Sequence, residues 1–296
     1  MHVLLTGGTG FIGRELCRQL LQAGHAVTVL SRAPRPAAGL PAAVHLIHRL
    51  EDAPTGIEAV INLAGEPLAE GRWNPTRKQI FRESRIGTTQ QLLRWMGGLM
   101  VRPRVLISGS AIGYYGPQGD EPLSERAAAG QDFAATLCRD WEAEAFKAQA
   151  LGLRVCAVRI GIVLGTDGGA LAKMLPPFKL GAGGPMGTGR QWMSWVTRSD
   201  LVRLMLWLLT HEAASGSYNG TAPVPLTNRD FSRTLGAVLK RPAVMTMPAL
   251  VLKLMFGEMA ESLLLTGQRV VPAKAEAEGF EFQHRELEPA LRHLLG

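Results

Sequence analysis

Over about the first 160 residues, short β-branched runs alternate with longer stretches whose apolar positions recur at helical spacing. Val3-Leu4-Leu5 predicts a strand and Phe11 to about Ala23 a helix, with His25 to Leu30 and Val44 to Ile47 as the second and third strands. Ala59 to Leu63 predicts the fourth strand. A helix is expected from Pro75, a residue suited to a first turn, to about Met96. Val105 to Ser108 predicts a fifth strand, Phe133 to Ala150 a helix, and Leu153 to Arg159 a sixth strand. Continuously apolar strands between helices belong to a parallel sheet covered on both faces. The expected fold is therefore α/β, a Rossmann-type doubly wound parallel sheet occupying mainly residues 1–165.

Beyond Arg159 the pattern loosens. Glycine-rich loops at Gly165 to Gly169 and Gly181 to Gly189 precede a strand predicted at Trp192 to Val196 and a helix from Asp200 to Leu209. Asn228 reads as the cap of another helix. Leu287, Leu291, Leu294 and Leu295 share one face of a terminal amphipathic helix. Residues 166–296 are expected to form a smaller lobe over the carboxyl edge of the sheet, with 190–225 returning to the sheet itself.

Composition narrows the function classes. The 296 residues suffice for a large core without disulfide staples. Cys17, Cys138 and Cys156 are odd in number and widely spaced, which excludes a CxxC zinc site and fits a reducing compartment. No apolar run reaches the roughly 20 residues of a membrane span, and the start lacks a signal-peptide pattern; a cytoplasmic protein is expected. The charge is +7, from 32 basic and 25 acidic residues. The arginines are spread rather than concentrated on one element, so nucleic acid is not expected as a partner; with no membrane-spanning run, neither is a membrane. An anionic small molecule explains the sign as well. No His/Asp/Glu cluster has metal-ligand spacing.

The strongest chemical signal is the run from Thr6 to Gly13, directly after the first strand. Gly7, Gly10 and Gly13 give the tight strand-to-helix turn, the close backbone approach to a pyrophosphate and the close helix–sheet packing of a dinucleotide site. Thr9, Phe11 and Ile12 lie between them, where the helix opens its unpaired N–H groups and positive dipole end towards the phosphates. The second strand ends Ser31-Arg32, where an NAD site places an acid to accept from the ribose 2′-OH. A guanidinium there pairs with a 2′-phosphate, so NADP(H) is the expected cofactor; the alternative is that Arg32 is simply solvated.

TGGTGFIG at the start, Asn62-Leu63-Ala64-Gly65 and Ser108-Gly109-Ser110-Ala111 together resemble the extended short-chain dehydrogenase/reductase superfamily. Gly113-Tyr114-Tyr115-Gly116, Cys138-Arg139-Asp140-Trp141-Glu142, Gly187 to Trp192 and Gly267-Gln268-Arg269-Val270 bring the resemblance closer to an atypical branch. That branch is the SDR39U-type proteins of the NAD(P)-dependent epimerase/dehydratase family. The resemblance runs nearly end to end. It implies that Leu63 and Ala64 line the adenine and ribose side, that Arg85 contacts the cofactor and that Val163 lies by the nicotinamide. It also implies a homodimer by superfamily habit.

One departure from the superfamily matters. The usual Tyr-x-x-x-Lys pair is replaced by Leu137 and Trp141, which can neither transfer a proton nor supply a cation. The resemblance places Ser110 where relatives carry a substrate-polarising serine. Tyr114 and Tyr115, in the same loop, are two of three tyrosines in the chain. They read either as replacement acids or as a packed substrate wall. Cys138 reads as a nucleophile or a small buried hydrophobe. Arg190 and Trp192 read as substrate-binding, with Trp192 and Trp195 on opposite strand faces, so that one belongs to the core. Asp200 reads as a helix cap. Two functions are expected in competition: an NADP(H)-dependent oxidoreductase or epimerase, and a non-catalytic NADP(H) sensor or regulatory protein.

Overall fold

The structure is a computed structural model that describes residues 1–32 and 38–296. The chain begins with β1 (His2–Thr6), α1 (Phe11–Gln22), β2 (Ala26–Leu30), β3 (His45–Ile47) and β4 (Ala59–Asn62). Next come α2 (Pro75–Arg82), α3 (Thr88–Gly98), β5 (Val105–Ala111), α4 (Phe133–Phe146), β6 (Arg154–Ile160) and β7 (Ile162–Leu164). The second half holds α5 (Gly169–Lys179), β8 (Trp192–Met193), β9 (Trp195–Thr197), α6 (Arg198–Thr210), β10 (Gly216–Gly220) and β11 (Leu226–Thr227). It ends with α7 (Asn228–Leu239), α8 (Ala249–Phe256), α9 (Glu258–Leu263), α10 (Ala273–Ala277) and α11 (Leu287–Leu295).

Seven parallel strands form the central sheet in the order β10-β6-β5-β4-β1-β2-β3. Both faces of the central strands are dry because successive residues of β1, β2 and β4 are mostly apolar. Val3 and Leu5 of β1 pack with Leu16, Cys17 and Leu20 of α1 and Leu204, Met205 and Leu208 of α6. Leu4, between them, faces Leu92 and Met96 of α3 and Ala145 of α4. A separate core built on Leu171, Phe178, Trp195, Phe231 and Leu291 holds the C-terminal lobe. Trp73, Phe81, Leu137 and Met259 pin α9 to α2 and α4. Among the described residues no helix is long and apolar enough to cross a membrane.

Several local expectations are corrected. The helix expected from Pro75 to Met96 is interrupted by a π turn, Glu83–Gly87. The strand expected at Trp192 to Val196 is two short strands in different ladders, β8 with β11 and β9 with β7. The cap of α7 is Thr227, whose side chain accepts from the Asp230 N–H, and Asn228 is the first helical residue. Thr227 carries the better geometry because its backbone is extended, as an N-cap requires. Likewise Thr197, not Asp200, caps α6. The Asp200 carboxylate is fully buried and accepts from the Gln283 and His284 N–H groups and from Arg203, which ties the C-terminal segment to α6.

Candidate functional site

The strand order reverses between β1 and β4, and the crevice at such a switch point is where open α/β sheets bind ligands. The glycine loop sits there. Gly7 has φ +70°, and a Cβ on it would lie 2.5 Å from the Leu63 carbonyl oxygen at the end of β4. A Cβ on Gly13 would collide with the Gly7 carbonyl, so only glycine lets α1 approach β1 this closely. The Gly10 N–H donates to Gly7 O at 3.0 Å. Gly10 caps α1 without a side chain, and no acid stands in the first turn, so the leading N–H groups keep their anion-binding capacity. Thr9 is half-buried and Ile12 packs against the core. The Phe11 ring is wedged under the 165–169 loop and stacks beneath Arg198 at 4.5 Å, leaving its backbone to the loop.

At the end of β2, Ser31 is buried and Arg32 exposed, the latter with no ion pair among the described residues. On the β4 side the Thr6 hydroxyl donates to Asn62 Oδ1 at 2.6 Å, and Asn62 donates to Thr89 Oγ1 at 2.9 Å. The Ala64 N–H donates to Thr6 Oγ1 at 3.2 Å, which fixes the Leu63–Ala64 backbone against the glycine loop. Val163 is in β7, nearly buried and packed on the main core. A cleft lined by Leu30, His48, Leu50 and Trp95 adjoins the ends of β2 and β3, which the sequence patterns did not single out.

The π turn aims Arg85. Its guanidinium donates to Glu66 O at 3.0 Å and Phe81 O at 3.3 Å, lies over the Trp141 ring at 5.4 Å, and closes on Gly65, where a Cβ would meet it at 2.9 Å. Burial pulls its pKa down, and no carboxylate pairs with it among the described residues. A π turn at a functional crevice is a common use of that irregularity.

Leu137 and Trp141, at the positions of the missing pair, are core residues; the indole N–H of Trp141 donates to Thr89 Oγ1 at 3.1 Å. Beside them lies a buried polar network. Arg159 of β6 grips Glu142 of α4 with two charge-assisted bonds, Nε to Oε1 at 2.8 Å and a terminal nitrogen to Oε2 at 2.9 Å. Burial opposes the Arg159 charge, but the bonds to Glu142 and its charge outweigh that and push its pKa up. Ser110 donates to Glu142 Oε1 at 2.6 Å, and Ser217 to Oε2 at 3.0 Å. The Tyr115 hydroxyl donates to Asn219 Oδ1 at 2.6 Å and accepts from Arg159 at 3.0 Å.

This geometry separates the three catalytic candidates. Ser110 is buried, and its hydroxyl donates to Glu142. Tyr115 is fully buried, and burial first of all pushes its pKa up to about 12. Tyr114 is half-buried, and its ring lies 3.4 Å from the Arg159 guanidinium and edge-on to Tyr115. Cys138 is buried, and its thiol is raised to about 12 by burial and by Glu142, which excludes the nucleophile reading at neutral pH.

The loop after Tyr115 runs to the C-terminal lobe, with the Gln118 N–H donating to Gly267 O and the Leu123 N–H to Arg269 O. There Trp192 donates to Asp120 Oδ1 at 2.8 Å and carries the Arg269 guanidinium on its face at 4.7 Å. The Arg269 Nε–H is buried without a partner, and Arg190 is exposed; neither has an ion pair among the described residues. Trp195, on the other face, is core. Arg269 had a visible signal in the GQRV run, but nothing in the sequence told that it stacks on Trp192. No metal-holding cluster of His, Cys, Asp and Glu occurs among the described residues.

A switch-point crevice with a glycine-cradled helix N-terminus, closed by a smaller lobe, defines the extended short-chain dehydrogenase/reductase class. Comparison with known proteins narrows this. Residues 3–219 match the NAD dependent epimerase/dehydratase family, and residues 247–294 match a domain of unknown function, DUF1731; the chain belongs to that epimerase/dehydratase family. It is 40% identical to the chloroplastic epimerase family protein SDR39U1 homolog of Arabidopsis thaliana, covering 100% of this chain and 87% of the relative. It is 36% identical to the Homo sapiens epimerase family protein SDR39U1 over 100% of both chains. The crystal structure of the human protein (isoform 2) with NADPH superposes with a TM-score of 0.90 at 34% identity, over 99% of each chain.

Proposed function

We propose that the chain binds NADP(H) and acts as an oxidoreductase or epimerase on a small anionic molecule held between the sheet edge and the C-terminal lobe. One observation carries the reading: the cradle that only glycine can form at Gly7 and Gly13 belongs to a fold matching a relative solved with NADPH. The residues fit the cofactor. Gly7, Thr9, Gly10 and the N–H groups of Phe11, Ile12 and Gly13 would hold the pyrophosphate. Ser31 and Arg32 would hold the 2′-phosphate, Leu63 and Ala64 the adenosine side, and Val163 the nicotinamide side. When bound, the cofactor supplies or accepts hydride.

The remaining work falls to the chain. Tyr114 presents the one phenol at the edge of the buried network and donates a proton to a substrate oxygen, while Arg159 fixes its ring from below. Arg85, Arg190 and Arg269 form no ion pair among the described residues, which favours a carboxylate or phosphate on the substrate. The core residues at Leu137 and Trp141 are also what a non-catalytic sensor would carry; the Tyr114–Arg159 stack favours the enzyme.

Titration of the purified chain with NADPH and NADH, followed by cofactor fluorescence, tests the reading. NADPH is expected to bind more tightly, and Arg32→Ala to weaken it about 10- to 100-fold, the worth of a charge-assisted bond of about 1.5–3 kcal/mol, while leaving NADH unaffected. Equal affinities would remove the 2′-phosphate argument. No binding of either would remove the cofactor.

A further inference from the structure

Eight of the twelve large apolar side chains that stand exposed in the described residues lie in one strip of the C-terminal half. Scattered singly they would need no explanation. Here they are contiguous. Segment 242–247 runs alongside 181–187: the Met245 N–H donates to Gly183 O at 3.2 Å, Met247 N–H to Pro185 O at 2.9 Å and Gly187 N–H to Met247 O at 2.9 Å. Leu180, 84% exposed, opens one edge of this ribbon and Val244, 82% exposed, stands on the other. The chain then enters α8, where Leu252 is buried but Leu250 and Leu254, one turn apart, are 68% and 67% exposed. Met245 and Met255 extend the strip. Apart from Lys253, helix α8 is thus apolar on all sides, with Leu252 its only buried residue. A contiguous exposed apolar strip, unlike scattered single residues, calls for an occupant.

Charge identifies the partner. Residues 168–199 and 234–257, which build the strip, contain no Asp or Glu at all. Lys179, beside Leu180, and Lys240-Arg241, beside Pro242, are exposed and have no ion pair among the described residues. Lys253 is paired with Glu261, and Glu258 with Lys78, so the nearest acids, on α9, are already matched. A second copy docked two-fold on this face would bring its unpaired cations against the same cations. A negatively charged protein would match the charge but leaves the Met- and Leu-rich strip unexplained. An apolar helix with a basic rim fits the acyl–headgroup boundary of an anionic bilayer.

We propose that this strip, Leu180 with residues 242–255, docks the protein peripherally on anionic phospholipid. The docking does not depend on the cofactor reading. The sequence expectation of no membrane rests on the lack of a spanning run; peripheral docking needs none, only the acid-free segments, distant in the chain, that the fold gathers here.

Vesicle flotation of the full chain tests this, using phosphatidylcholine vesicles and vesicles one-third phosphatidylglycerol. Binding is expected only to the anionic vesicles and is expected to fall as salt screens the rim. Leu250→Glu with Leu254→Glu should reduce it at least about tenfold, and so should Lys240→Glu with Arg241→Glu, both with unchanged melting temperature. All four side chains are exposed, so the fold tolerates these changes. Failure of the native chain to float with anionic vesicles overturns the proposal. So does a dimer in sedimentation velocity that the leucine variant dissociates, which would assign the face to a second copy.

Discussion

Tyr114 and Tyr115 are chemically identical neighbours with opposite surroundings. The sequence leaves them equivalent, because a pair of aromatics in a glycine-rich loop has no periodicity to tell inward from outward. They fall in a 3₁₀ turn, Ile112–Tyr115, where successive side chains point about 120° apart. Tyr115 is therefore fully buried, and Tyr114 only half-buried. Tyr114→Phe is expected to abolish most NADPH-dependent turnover of any substrate found by screening, with a melting temperature close to native. Tyr115→Phe strands Asn219 Oδ1 and is expected to cost about 1–3 kcal/mol of stability, read from denaturant melts. The reverse pattern would show that the buried phenol is the acid. The partner of Ser110 was hidden for a related reason: Glu142 is remote in sequence, and only folding brings the two together.

At the scale of elements, the strands and the glycine loop were legible because burial on both faces and a tight turn leave direct marks in the sequence. The π turn left none. No proline breaks the run between α2 and α3, so the two read as one helix, yet the turn carries Arg85. The Glu142–Arg159 pair was equally hidden, although it fastens α4 to β6 beneath Tyr114. Glu142→Gln leaves a buried guanidinium uncompensated and is expected to cost about 3–5 kcal/mol. The double variant Glu142→Leu with Arg159→Met should recover much of that, since it buries no unpaired charge. A single variant within about 1 kcal/mol of native would show that water reaches Arg159.

For the whole molecule, the three free cysteines are buried, and burial raises the thiols of Cys17 and Cys138 from the ordinary 9.0 to about 12, with Cys156 moved the same way. Their stabilising contribution is complete below about pH 9 and is lost as the pH climbs towards 12. Melting temperature should fall over that alkaline window, and a thiol reagent at neutral pH should label none of the three until the chain is unfolded. Native-state labelling of Cys138 would overturn its placement. Six of the seven sheet strands could be read from their apolar runs. The last, β10, reads Gly-Ser-Tyr-Asn-Gly, and only its buried Tyr218 and Asn219 betray it. Its place beside β6 has a consequence for biosynthesis. While the ribosome is still producing α5 and α6, the nascent sheet has an unpaired β6 edge open to other chains, and it is sealed only when residues 216–220 emerge.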